Sequence, residues 1–123
     1  MEPKKLTKDE IQKIAAADDL HIAPFRQDGT TYGTPTWIWS VEVEGRLYVR
    51  AYHGKRSRWF RAAMTQKAGK IEATGVTRPV SFEPVIGTLI DQIDQAYRKK
   101  YIGSPYLKAM ISAQAREATI RIS

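Results

Sequence analysis

Residues 36–53 read TWIWSVEVEGRLYVRAYH, and this stretch decides the expected fold. Apolar and polar residues alternate on both sides of Gly45, as they do in strands whose successive side chains point to opposite faces. The apolar positions are Trp37, Trp39, Val41 and Val43 before the glycine, and Leu47, Val49 and Ala51 after it. Two such runs joined by a tight turn predict a β-hairpin at the centre of the fold.

Further strands and helices are predicted on both sides of this hairpin. Thr7-Lys8-Asp9-Glu10 has the pattern of a capping box and starts the first helix, with Leu6 and Ile11 placed to form a hydrophobic staple. Six strands are predicted at residues 20–26, 36–44, 47–53, 70–74, 78–85 and 119–123. Four helices are predicted at residues 8–17, 57–66, 88–101 and 105–110.

Several single residues refine this outline. Gly69 is expected to stop the second helix, and Pro79 is expected at an edge or at the start of a strand. In the helix at 88–101, Asp94 is placed to pair with Arg98 one turn later. Ile93 falls on the apolar side of that helix, so we expect Val41, Val49 and Ile93 to be buried.

The fold class follows from the short connections between these strands. Hairpin turns of this length cannot carry crossovers, so the sheet is expected to be mainly antiparallel, in an α+β protein built around a small closed or half-closed barrel. A chain of 123 residues fits one domain. We assign residues 1–19 to the N-terminal helix and residues 20–123 to the barrel and the remaining helices.

The composition excludes several classes of protein and several kinds of binding site. The chain has no cysteine, which excludes disulfides and thiolate metal sites and favours a reducing cytoplasm. It shows neither an apolar signal-peptide core at its N-terminus nor a run of about 18 apolar residues for a membrane span. His21 and His53 lack partners at metal-ligand spacing, and Gly54-Lys55 does not complete a phosphate-loop pattern.

The excess positive charge lies in one segment, residues 46–70. This segment holds eight of the 20 Lys and Arg residues and none of the 13 Asp and Glu residues, so the rest of the chain has a net charge of −1. Basic side chains that could converge on one anion are Arg50, His53, Lys55, Arg56, Arg58 and Arg61. A helix beginning near Ser57 would add free backbone amides, which suit a phosphate. Tyr48, Tyr52 and Trp59 would supply flat apolar surface beside it, although a solvated basic surface would show the same pattern.

Several motifs of the chain resemble those of known proteins. They are TWIWSVEVEGRLYVRAYHG, WFRAA, GKIEATG, IDQAYRKKY and AREATIRIS. The order of the Asp28-Gly29 turn, Pro35, TWIWSVEVEGRLYVRAYHG, the basic helix and KIEAT resembles the FMN-binding split β-barrel superfamily, which includes the pyridoxamine phosphate oxidase-like flavoproteins and deazaflavin-dependent reductases. More closely, the motifs resemble an uncharacterised domain-of-unknown-function family, number 2255, that is usually placed in this barrel class. The resemblance runs from about Leu20 to Ile122.

The resemblance implies a six-stranded split β-barrel with flanking helices, a homodimer and a flavin-dependent oxidoreductase. In the superfamily, basic residues of the third strand and the following helix hold the phosphate of FMN or of a deazaflavin. The residues of this chain that would contribute to cofactor binding are Arg50, Tyr52, His53, Lys55, Arg56, Arg58, Trp59 and Arg61. Tyr32, Tyr52 and His53 are candidates for acid or base roles near that site.

Two other functions remain open from the sequence. A small barrel with Tyr48, Tyr52 and Trp59 interleaved with arginines could bind single-stranded nucleic acid by stacking its bases. A cofactor-free dimer could instead cover the aromatic strand face at Trp37 or Trp39, with an incidental basic patch.

Overall fold

The computed structural model describes residues 6–123, which form one curled antiparallel sheet with helices on both of its faces. The sheet order is β2-β1-β5-β6-β7-β4-β3. Its seven strands are β1 His21–Pro24, β2 Thr36–Trp37, β3 Ser40–Val43, β4 Arg46–Arg50, β5 Ala68–Ala73, β6 Val76–Pro84 and β7 Thr119–Ile122. The five helices of the described residues are α1 Lys8–Ala16, α2 Arg58–Gln66, α3 Leu89–Lys100, α4 Leu107–Met110 and α5 Ala113–Arg116.

The two outer strands of the sheet, β2 and β3, follow each other directly in the chain. Only Ile38 and Trp39 separate them. Because consecutive Cα atoms are about 3.8 Å apart, the two ends of the sheet must come close together. The sheet therefore curls into a half-barrel. This confirms a mixed α/β fold with an antiparallel sheet, but the single strand predicted at residues 36–44 is two strands, which gives seven strands instead of six.

The predicted hairpin is present as β3 and β4. Its register pairs Ser40 with Val49 and Val43 with Arg46. Glu44 and Gly45 form the turn with φ values of 53° and 79°. Positive φ at both central residues belongs to the type I′ turn, whose twist matches that of the two strands.

Both faces of this hairpin are buried, in two separate layers. Leu47 and Val49 contribute to the core inside the curl. Val41 and Tyr48 are paired across the strands and pack outside the curl, in a second cluster with Ile93 of α3. Val41, Val49 and Ile93 are 2%, 0% and 0% exposed, as expected, but they belong to two cores instead of one.

The predicted start of α1 is confirmed. Thr7 Oγ1 accepts a hydrogen bond from the Glu10 amide at 3.1 Å, and Glu10 Oε1 accepts one from the Thr7 amide at 3.0 Å. Leu6 and Ile11 are both buried in the core inside the curl, as the staple requires. The capping box thus fixes the start of α1, which packs against β3 and β4 and adds to this core.

The sequence suggested that Gly69 stops α2, but the structure shows that it does not. The helix ends at Gln66, and Lys67 takes the left-handed conformation with φ 60°. Gly69 instead lies within β5, between β1 and β6. A Cβ atom there would stand 2.6 Å from the Cα of Pro24, so the close approach of β1 requires glycine.

At three further places the structure adds to or corrects the sequence analysis: Pro79 has the edge position expected of it, the fourth predicted helix starts later, and one helix was not predicted. Pro79 lies inside β6 and pairs with Lys70, but β7 pairs β6 only at Phe82–Pro84, so Pro79 has a strand on one side only. The fourth predicted helix begins at Leu107, two residues after Pro105. The sequence did not indicate α5, a single turn held between longer elements.

Candidate functional site

One large cavity, of about 1180 Å³, opens where the curl brings the ends of the sheet together. Its walls come from residues 36–39, from the turn after β4, from the start of α2 and from the segment between α3 and α4. Six of the eight predicted cofactor-binding residues line it: Arg50, Tyr52, His53, Arg56, Arg58 and Trp59. Lys55 lines a separate cavity of about 410 Å³, and Arg61 lines neither of the two.

The turn that carries Arg56 is a short 3₁₀ turn, Gly54–Arg56, between β4 and α2. Gly54 has a φ of 73°, and a Cβ atom there would stand 2.5 Å from Cγ of Gln114. Gln114 also donates from Nε2 to the carbonyl oxygen of Tyr52 at 3.3 Å. The turn is therefore anchored on α5, and Gly54 is required both by its conformation and by this contact.

Arg56 and Arg58 supply the positive charge of the cavity. Both side chains are exposed, and no ion pair involves them within residues 6–123. Between them, Ser57 begins the nine-residue helix α2 without a side-chain cap, and the first turn holds no acidic residue. The first amides of a helix lack backbone partners and carry a partial positive charge, so this end of the cavity suits an anion.

Arg50 has a different set of partners from the one expected. Its side chain is fully buried and forms an ion pair with Asp94 of α3. Nη2 donates to the Ile90 carbonyl at 3.0 Å, Nη1 to the Met110 carbonyl at 3.1 Å and Nε to Oγ1 of Thr119 at 3.0 Å. The guanidinium therefore ties α3, α4 and β7 to β4 beneath the cavity. These bonds engage at least four of its five N–H groups, so we no longer count Arg50 among the phosphate donors.

Asp94 was predicted to pair with Arg98, and this prediction is wrong. Its carboxylate instead contacts Arg50 and, at 3.2 Å, Nε of Arg116. The side chain of Asp94 is only 13% exposed, whereas that of Asp91, one turn earlier, is 81% exposed. Helical spacing alone favoured a surface pair with Arg98, but Arg50, on the face of β4 that α3 covers, draws Asp94 to the sheet.

Aromatic side chains form much of the remaining wall. Trp37, Tyr52 and Tyr106 are 51%, 39% and 58% exposed, which is unusual for rings of this size. Tyr52 and Tyr106 meet edge to face with centroids 6.3 Å apart. Trp59 is half-buried, so it packs against the core and also lines the cavity. Tyr32, another sequence candidate, does not line this cavity; it stacks on Phe25 with centroids 4.7 Å apart.

A second polar feature, missed from the sequence, is the carboxylate of Asp18 in the loop after α1. Oδ1 of Asp18 accepts a hydrogen bond from the Tyr101 hydroxyl at 2.8 Å. The backbone carbonyl of Asp18 accepts one from Nε1 of Trp37 at 2.9 Å. Trp39 stacks on Tyr101 with centroids 3.8 Å apart. All four residues line the cavity, and we call them the Asp18 corner.

The hydroxyls of Tyr97 and Tyr101 are held in their neutral form. Burial raises the pKa of Tyr101 far above its usual value, and the hydrogen bond to Asp18 raises it further. Burial likewise raises the pKa of Tyr97, whose hydroxyl donates to the Trp39 carbonyl at 3.3 Å. A group whose pKa is raised on folding contributes stability that is complete below its unfolded pKa and is lost above it.

We therefore expect the free energy of unfolding to fall as the pH rises above about 10, the ordinary pKa of tyrosine. Urea denaturation between pH 8 and pH 11 measures this slope. Tyr101→Phe should make the slope shallower, because one of the two groups no longer titrates. Tyr106→Phe is the matched control, since Tyr106 is 58% exposed and should leave the slope unchanged. An equal slope in wild type and Tyr101→Phe would contradict the assignment.

Residues 6–123 contain no group of three His, Cys, Asp or Glu side chains placed to hold a metal ion. None of the helices in this range has the length and apolarity needed to cross a membrane.

Comparison with known families identifies the chain. A family described as "Uncharacterized protein conserved in bacteria" (DUF2255) matches residues 10–122, almost the whole sequence. The chain therefore belongs to this family. No curated protein matched the chain.

Proposed function

We propose that this family member binds a flavin-type cofactor, FMN or a deazaflavin, in the large cavity and serves as an oxidoreductase. The proposal rests on one observation: a single cavity is lined by Arg56 and Arg58, by the start of α2 and by several exposed aromatic rings. Neither arginine forms an ion pair within the described residues. Such a site matches a ligand that joins a phosphate to a planar ring.

The phosphate end of the ligand would lie against Arg56, Arg58 and the first amides of α2. Arginine presents planar, paired donors that match phosphate oxygens, and a helix N-terminus adds amides and a favourable dipole. The two arginines flank Ser57, so their guanidinium groups start from one short segment. This clustering favours one compact phosphate over the extended backbone of a nucleic acid.

The ring end of the ligand would lie among Tyr52, Trp59 and Tyr106. Aromatic pairs prefer stacked or edge-to-face contact, and both geometries are available where flat rings line an open cavity. A bound flavin would supply the redox chemistry. The protein would supply binding, orientation and exclusion of water from the ring.

The split-barrel class and the homodimer are part of the same proposal. A half-barrel whose edges meet at Ile38–Trp39 is compatible with a split barrel. A homodimer would cover exposed apolar side chains at the cavity, such as Ile102, which is 82% exposed.

We expect Arg56→Ala and Arg58→Ala each to weaken FMN binding by about tenfold or more, because each removes a charge-assisted contact to the phosphate. Riboflavin, which lacks the phosphate, should bind wild type far more weakly than FMN and should be little affected by either substitution. Arg61→Ala is the matched control on the same helix, since Arg61 does not line the cavity. The measurement is titration of cofactor-free protein with FMN, riboflavin and a deazaflavin, followed by flavin fluorescence.

Two outcomes would count against the proposal. Equal affinity for FMN and riboflavin would show that the arginines do not hold the phosphate. Absence of binding by all three ligands to folded protein would show that the cavity serves another class of molecule.

A further inference from the structure

The large cavity has a second chemical end, distinct from the arginines. The Asp18 corner combines one carboxylate with the rings of Trp37, Trp39 and Tyr101. Within the described residues, Asp18 takes part in no ion pair, and its carboxylate accepts one hydrogen bond, from the Tyr101 hydroxyl. Oδ2 therefore retains acceptor capacity. Lys100 is a neighbouring cation: its Nζ donates to the Ser40 carbonyl at 2.6 Å and lies 5.1 Å from the centroid of the Tyr101 ring, and its charge interacts with that of Asp18 without ion-pair contact.

The fold holds this corner in a fixed arrangement. Tyr101 is 8% exposed and is stacked on Trp39, and its hydroxyl also lies 3.3 Å from the Ser40 amide, which donates to it. Trp37 is tied to the backbone of Asp18 through its indole N–H, yet it remains 51% exposed. A ring face and a carboxylate oxygen are thus presented side by side, without any rearrangement of the walls.

Aromatic faces and a carboxylate both attract a positive charge. A ligand cation near a tryptophan face gains from the quadrupole of the ring, and a carboxylate adds a charge-assisted hydrogen bond where the cation carries N–H groups. We propose that the Asp18 corner binds an organic ammonium group, so that the cavity accepts an amine-bearing molecule.

The size of the cavity leaves room for this second ligand. Its volume of about 1180 Å³ exceeds that of sites which hold one drug-sized molecule, roughly 300–1,000 Å³. An anionic ligand at Arg56 and Arg58 and an amine at Asp18 would therefore use different walls. The amine site does not depend on the identity of the anionic ligand, so it holds whether or not the protein binds a flavin.

Benzylammonium and benzyl alcohol test the proposal directly, because they share a ring and a size and differ in charge. We expect benzylammonium to bind wild type about tenfold more tightly than benzyl alcohol. Asp18→Asn should remove most of this preference while keeping an oxygen that accepts from the Tyr101 hydroxyl. Two-dimensional ¹H–¹⁵N NMR follows the titration through the indole N–H of Trp37, and an unchanged spectrum elsewhere shows that each variant is folded.

Asp19→Asn is the matched control. Asp19 is the next acidic residue, does not line the cavity, and accepts from the Thr74 amide at 2.9 Å through Oδ2. It should leave the affinity for benzylammonium within about twofold of wild type. Equal affinities for the two probes, no shift at Trp37 with millimolar benzylammonium, or an equal loss in Asp19→Asn would each overturn the proposal.

Discussion

Asp94→Ala is expected to lower the free energy of unfolding by about 3–5 kcal/mol, because it leaves the charge of Arg50 buried without its partner. The Arg50 side chain is 0% exposed, and that of Asp94 is 13% exposed. The remaining partners of the guanidinium are neutral oxygens of Ile90, Met110 and Thr119. Neutral acceptors satisfy hydrogen bonds but do not balance a charge in a poorly solvated interior.

Asp91→Ala provides the matched control for this prediction. Asp91 lies one turn earlier on α3 and pairs with Arg116 at 2.5 Å, but its side chain is 81% exposed. An exposed ion pair contributes about 0–1 kcal/mol, so this variant should remain close to wild type. Urea denaturation at pH 7 measures both variants. A loss below about 1 kcal/mol for Asp94→Ala would mean that water reaches Arg50 or that the guanidinium finds another anion.

Arg50 also shows where sequence reasoning reached its limit. The alternation along β4 correctly placed Arg50 on the face opposite Leu47 and Val49. It did not show whether that face is exposed to solvent. The answer depends on α3, which begins about 40 residues later and covers that face with Ile93 and Tyr97. A basic residue in a basic segment was therefore interpreted as a ligand donor, whereas packing from a distant helix makes it a structural residue.

The parts of the fold that were predicted correctly depend on local patterns. Alternation around Gly45 gave the hairpin, the capping box at Thr7 gave the start of α1, and the apolar spacing of the second helix gave α2. The break at Ile38–Trp39 has no local signal, because an alternating sequence continues through it. It follows from closure of the sheet, a property of the whole chain.

The residues of the candidate site also fall into those that local sequence predicted and those that it did not. Arg56, Arg58 and Trp59 were found because they are neighbours in sequence, and one turn presents them together. Asp18 was missed because it joins the cavity only through tertiary contacts with Trp37 and Tyr101, which lie 19 and 83 residues away. A single acidic residue after a helix carries no signal of its own, so only the structure could reveal this corner.

Ile93→Ala is expected to lower the free energy of unfolding by about 2–5 kcal/mol, through lost burial and the cavity that remains. Ile93 is 0% exposed and packs with Val41, Tyr48 and Tyr97 in the cluster outside the curl, which we call the outer core. Tyr97 is restrained by the hydrogen bond from its hydroxyl to the Trp39 carbonyl, and Tyr48 by its place in the hairpin. Because these neighbours cannot easily move into the space, we expect a value in the upper half of the range.

Ile86→Ala is the control that separates burial from the chemistry of the substitution. The same atoms are removed, but Ile86 is 90% exposed, so the change should stay within about 0.5 kcal/mol of wild type. The two variants are compared by urea denaturation with a common slope against denaturant, since a changed slope would signal loss of two-state unfolding. Equal stability of Ile93→Ala and wild type would show that α3 does not close the outer core. Trp39 and Tyr101, which belong to that core and also line the cavity, would then lack the support that the amine site requires.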